Sequence, residues 1–112
     1  MQEFLLIFRS AVAQPTQQFS PEQYQTIAQQ WQDWVGSLAA QNKLVSTGKR
    51  LGEGKVVRAD HSITEGSYAE VKEVLNGYLF LSAADTNEAA ELAKGCPVLS
   101  VGGNVEVRPV IA

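Results

Sequence analysis

The chain is 112 residues long, which fits one domain and is enough to bury roughly two-thirds of its unfolded surface around a single core. Hydrophobic residues make up 45% and charged residues 19%, the composition of a folded globular chain and not of a disordered one. The net charge is −3 and no Lys/Arg cluster offsets it, so no nucleic-acid partner is expected. Cys96 is the single cysteine and His61 the single histidine. An intrachain disulfide and a Cys/His zinc site within one chain are therefore excluded. An all-carboxylate metal site has no spacing signature, and no metal or cofactor is expected.

Ala11-Val12-Ala13 imitates a signal-peptidase site. However, Phe4-Leu5-Leu6-Ile7-Phe8 is too short for a signal core and lies between Glu3 and Arg9. Residues 3–9 are read as a first strand. No run approaches transmembrane length, so no membrane association is expected and the cytoplasm is the expected compartment.

Residues 10–19 form a polar loop with Pro15. Ser20-Pro21-Glu22-Gln23 then starts a helix: Ser20 caps, Pro21 takes the first helical position and Gln23 closes a capping box. Tyr24, Ile27, Ala28, Trp31, Trp34, Val35 and Leu38 recur at helical spacing, giving one apolar stripe to about Gln41. Residues 44–51 read as a second strand, Gly52-Glu53-Gly54 as a hairpin turn, and residues 55–63 as a third strand returning beside the second. Residues 64–74 are polar and contain a turn at Glu65-Gly66. Residues 75–83 are a fourth strand, apolar without interruption at Tyr78-Leu79-Phe80-Leu81. Asp85 and Glu88 suggest a second capping box, before a short helix that Gly95 ends and Pro97 follows. Residues 104–111 are the last strand. Pro109 lacks an N–H, which places that strand at an edge.

The order β-α-β-β-β-α-β predicts an α+β fold: a ferredoxin-like βαββαβ unit with an extra hairpin strand, one domain over residues 1–112. Its central strands would be residues 3–9 and 75–83, the two with continuous apolar runs. Such runs mean that both faces are buried. Two helices cover only one face, so a second copy is expected to cover the other. That gives a homodimeric α/β barrel with an isologous interface. The alternative is that the hairpin folds over the open face.

The segments so placed resemble the YCII-related family, in its DGPF subgroup. The matching residues are the opening Phe4-Leu5-Leu6-Ile7-Phe8-Arg9; Trp31, Trp34 and Gly36; Gly48 and Leu51-Gly52; Thr64-Glu65-Gly66-Ser67-Tyr68-Ala69-Glu70 with Lys72-Glu73; Gly77-Tyr78; Ala93-Lys94-Gly95-Cys96-Pro97; and Val105-Glu106-Val107-Arg108-Pro109. The resemblance implies a ferredoxin-like fold and a dimer. It implies no single activity: the wider superfamily includes isomerases, lyases and monooxygenases acting on small cyclic or aromatic compounds in the barrel cleft. Where the subgroup has Asp-Gly-Pro-Phe, this chain has Glu65-Gly66-Ser67-Tyr68. The acid is one methylene longer, the proline is lost and the ring gains a hydroxyl.

Candidate chemistry follows from these placements. In a strand, Val57, Ala59, His61 and Ile63 would share the more apolar face, and a partly buried His61 would serve as a general base. Asp60 would point the other way. Set against this is a hydrogen-bonded or partly exposed strand histidine, the commoner case. Glu65, Tyr68 and Glu70 lie on the signature loop. Either glutamate would act as acid or base if burial raised its pKa, and Tyr68 would donate to an oxyanion or ketone. The plainer role for Glu70, Lys72 and Glu73 is to cap or solvate a short helix. Arg9 would bind a ligand carboxylate, or else close a salt bridge at the sheet end. Trp31 and Trp34 read as packing residues and Cys96 as a small structural residue.

Two functions remain open. One is a small-molecule-binding dimer, including a cofactor-free proton-transfer enzyme of isomerase or lyase type on a small oxygenated or aromatic compound. Its base would be His61 or Glu65, with Tyr68 or Arg9 stabilising charge. The other is a non-catalytic module with a regulatory protein partner, which the resemblance implies because DGPF relatives often occur beside sigma-factor-like regulators.

Overall fold

In the computed structural model, strand β1 covers Gln2–Ala11, helix α1 Pro21–Ala40, and strands β2, β3, β4 and β5 Leu44–Ser46, Lys55–Val57, Ile63–Glu65 and Glu73–Ala83. Helix α2 (Thr86–Ala93), a 3-10 helix (Pro97–Val101) and strand β6 (Asn104–Pro109) complete the chain. The structure describes residues 1–11, 20–52, 54–65 and 73–111. Among them no helix is long and apolar enough to cross a membrane.

The main sheet has the order β2-β5-β1-β6 with every pair antiparallel. Setting β3 and β4 aside, this is the ferredoxin-like arrangement, with the two apolar strands at the centre and Pro109 on an edge strand, as the sequence predicts. The core lies on one face. Phe4, Leu6 and Phe8 of β1 and Leu79, Leu81 and Ala83 of β5 alternate inward and meet Trp34 and Leu38 of α1 and Ala89 and Ala93 of α2. Phe8, Trp31 and Trp34 form an edge-to-face cluster with ring centroids 5.1 to 6.1 Å apart. The Trp34 indole N–H also donates to the Leu92 carbonyl at 3.0 Å, joining α1 to α2. Both tryptophans are therefore packing residues.

Each helix begins with the cap that its sequence suggests, with one difference. At α1 the capping box is complete: Gln23 N–H donates to Ser20 Oγ, and Ser20 N–H to Gln23 Oε1. At α2, Glu88 N–H donates to Asp85 Oδ1, but the Glu88 carboxylate accepts from Ala84 N–H and from Lys43 instead of closing a box on Asp85. Lys43 follows α1, so this carboxylate ties the end of one helix to the start of the other. The apolar stripe of α1 is only partly used: Tyr24 and Ala28 are exposed, Ile27 is partly buried, and packing against the core begins at Trp31.

The expected second and third strands are corrected. The second strand does not run through residues 44–51. Gly48 has φ +64°, and a Cβ there would stand 2.0 Å from the Tyr78 carbonyl oxygen. This left-handed residue ends β2 after Ser46, and pairing resumes only as a bridge between Arg50 and Gly77. The third strand does not run through residues 55–63 and does not pair with the second. It breaks at residues 58–62, and β3 pairs with β4 as a separate two-stranded ribbon. His61 N–H donates to the Arg58 carbonyl and Arg58 N–H to the Ser62 carbonyl, while His61 has φ 71°. That is a three-residue loop with its last residue left-handed, a conformation that histidine tolerates better than most side chains. Asp60 accepts from both the backbone N–H and the hydroxyl of Ser62, which fixes the loop and lowers the Asp60 pKa.

Candidate functional site

The face of the sheet away from the helices carries the residues that alternate with the core. Leu5 and Ile7 of β1 lie opposite Phe80 and Tyr78 of β5 on one side, and opposite Arg108 and Glu106 of β6 on the other. Tyr78 and Phe80 meet edge to face at 5.9 Å. All four apolar residues remain partly exposed, and Leu75, opposite Arg9, is 38% exposed. Among the described elements both helices pack on the opposite face, and the β3–β4 ribbon makes no substantial contact with β1, β5 or β6. The smallest extent of the fold is 19 Å, room for one sheet and one helical layer.

Charges close one side of this apolar row. Arg9 Nη2 stands 3.2 Å from Glu106 Oε1, and Arg108 Nη1 stands 2.8 Å from Glu106 Oε2. Hydrogen bonding from Arg108 and the nearby positive charge of Arg9 hold the Glu106 carboxyl below its ordinary pKa. Glu106 is thus an ionised bridge between two guanidiniums and a poor proton donor at neutral pH. Arg9 lies near the end of a central strand, which runs on to Ala11, and its partner is a side chain of the same sheet.

Of the other expected residues, His61 is described in full and is not brought together with Arg9. His61 is exposed at the tip of the ribbon, not on an apolar strand face; the local cause is the loop at residues 59–61, which breaks the strand alternation. Its role as a partly buried base within its own chain is therefore corrected. The backbone of Glu65 ends β4 opposite Lys55. Tyr68 and Glu70 lie outside the described residues, as do Gly66 and Ser67. Cys96 is buried in the connection from α2 to the 3-10 helix, and burial pushes its thiol pKa up to about 11, so it is a structural residue and not a nucleophile.

Sequence reasoning did not single out Tyr78, Phe80, Leu5, Ile7 or Glu106 as site residues. The signal was present in part. Uninterrupted apolar runs on β1 and β5 mark two buried faces, and the alternation Val105-Glu106-Val107-Arg108 puts both charges on the face away from the core. A separate shallow groove of about 680 Å³ lies on the helical side, lined by Gln30, Asp33, Trp34, Lys94, Cys96 and Ser100 among others. It is wide open to solvent and contains none of the candidate groups. The sheet face, where aromatic, apolar and charged groups converge, is the better candidate.

The family model for the YCII-related domain matches residues 6–112, nearly the whole chain. No curated protein matches it. With its ferredoxin-like sheet and a match over that span, the chain belongs to the YCII-related domain family.

Proposed function

We propose that this chain is a small-molecule-binding domain that works as a cytoplasmic homodimer, with the ligand held in a cleft between two apposed sheet faces. The observation that carries this reading is the row Leu5, Ile7, Tyr78 and Phe80, apolar and partly exposed, with Arg9, Glu106 and Arg108 along one side. An apolar patch rimmed by convergent charges fits a small aromatic or oxygenated compound better than it fits solvent. The Tyr78 phenol is the polar handle among the rings, and Arg9 is the cation best placed to meet a ligand oxyanion if Arg108 keeps Glu106 neutralised. Catalysis in such a cleft would be cofactor-free proton transfer of isomerase or lyase type.

A thermal-shift screen against small phenols, lactones, hydroxy acids and keto acids tests the reading. A ligand at a hundred times its Kd adds about 2.7 kcal/mol, which moves the melting point of a domain this size by several degrees. The reading predicts a hit that Tyr78→Ala removes. A flat screen on folded protein would sink it. One observation favours a second reading, a non-catalytic module with a regulatory protein partner: Val57 and Ile63 of the ribbon are 65% and 64% exposed.

A further inference from the structure

Strand β6 is an edge of the main sheet, and among the described residues only β1 pairs with it. Its register fixes which backbone groups face outward. Val110 N–H donates to the Glu3 carbonyl at 2.9 Å, and Phe4, Leu6 and Phe8 lie opposite Pro109, Val107 and Val105. In an antiparallel ladder, pairs that exchange backbone hydrogen bonds alternate with pairs that do not. Asn104, Glu106 and Arg108 therefore turn their backbone N–H and C=O toward β1. Val105, Val107 and Pro109 turn theirs to the outer edge. Pro109 stands where its missing N–H costs the sheet nothing. The outer edge thus offers donors at Val105 and Val107 and carbonyls at all three residues.

Proline and charges on an edge usually hinder strand addition. Here they leave one register open. We infer that the outer edge of β6 pairs antiparallel with β6 of a second copy, on a two-fold axis at Val107. In that register the two Val107 residues exchange both backbone bonds, and each Val105 N–H meets the Pro109 carbonyl of the other copy. Glu106 of each chain lies directly opposite Arg108 of the other, in a pair without backbone bonds, where side chains are closest. Arg108 Nη1 already stands 2.8 Å from Glu106 Oε2 along its own strand, so the four side chains make a square of alternating charge. The neighbouring registers fail. An axis at Glu106 or at Arg108 sets that residue against itself, and like charges directly opposed are destabilising. An axis at Pro109 opposes two residues that lack an N–H, and one at Val105 sets Glu106 against Asn104. The contact is a single strand pair, smaller than a stable interface, so it fills only at high concentration. It uses the sheet edge and is independent of the face-to-face homodimer proposed above.

Register-specific disulfide trapping tests this. Glu106→Cys and Arg108→Cys chains, folded by circular dichroism, are oxidised with diamide separately and mixed, at high micromolar concentration. The unaltered chain, whose only thiol is buried Cys96, is the control. Opposed residues in a pair without backbone bonds have Cα atoms about 4.5 Å apart, within the reach of a disulfide. The inference predicts that the mixture gives a linked dimer, position 106 of one chain to position 108 of the other, and that neither variant alone does. It predicts the same join when both chains also carry Ile7→Asp, which removes the face-to-face contact. Loss of the join with Ile7→Asp would overturn the edge pairing and leave the face-to-face dimer standing. Joining of either variant to itself as readily as in the mixture would overturn the register. No join in any sample would overturn the pairing outright.

Discussion

Arg9 and Glu106 form an ion pair on the diagonal of the β1–β6 ladder: Nη2 meets Oε1 at 3.2 Å, although Arg9 lies directly opposite Asn104 and Glu106 opposite Ile7. Arg108 takes the other carboxylate oxygen. The three side chains point away from the core and are all partly or largely exposed, so their main effect is on orientation and not on stability. The protonation of Glu106 nevertheless has a sign. Its pKa is depressed in the folded chain, so its contribution is complete above the ordinary carboxylate range, near 4.3, and is lost as pH falls from there through the lowered folded value. Urea midpoints measured against pH should therefore fall less steeply below about pH 4.3 in Glu106→Gln than in the wild type. Parallel profiles would contradict the assignment.

Leu6 and Leu79 are cross-strand neighbours, fully buried between the sheet and the helices. Truncating either to alanine leaves a cavity and should cost about 2–5 kcal/mol in denaturant unfolding. Ile7, one residue along on the other face, should behave differently: Ile7→Asp keeps the circular dichroism of the fold and changes only self-association. An equal loss of fold in both variants would mean that the two faces are not distinct.

Trp34→Phe removes the indole N–H that donates to the Leu92 carbonyl and thins the cluster with Phe8 and Trp31. The expected cost is about 1–3 kcal/mol, read from urea denaturation. A neutral result would show that the hydrogen bond does not fasten α1 to α2.

Gly48 is required where β2 ends. With φ +64° and the Tyr78 carbonyl in the way of a Cβ, Gly48→Ala should cost about 2 kcal/mol or more in the same measurement.

Cys96 should be silent in the native chain. A thiol both buried and raised to about 11 is almost wholly protonated and shielded at pH 8. An aromatic disulfide reagent should therefore find no reactive thiol in native protein and one per chain after denaturation. Rapid native reaction would contradict the burial.

How far the sequence could be read depended on whether the deciding signal was local. The capping box at Ser20 and Gln23, the stop at Gly95 and Pro97, and the continuous apolar runs of β1 and β5 are local signals, and each element stands where they put it. Alternation over residues 55–63 looks like one strand, whereas the structure has β3 and β4 paired across a loop there. The break depends on a left-handed His61 and on Asp60 bonding to Ser62, which a period-two pattern hides. The pairing of Arg9 with Glu106 joins residues 97 apart in sequence, and only the strand register brings them together. Strand alternation puts His61 on the apolar face of Val57, Ala59 and Ile63, but the loop breaks that alternation and leaves His61 on an exposed tip, away from Tyr78, Phe80 and Arg9.

The central claim is that the open sheet face belongs to a pair of chains. Sedimentation equilibrium measures this most directly, on the wild type and on Ile7→Asp at the same micromolar concentration. The account predicts twice the 12.2 kDa chain mass for the wild type and a single chain mass for the variant. A wild-type mass of 12.2 kDa, with the fold intact, would contradict it.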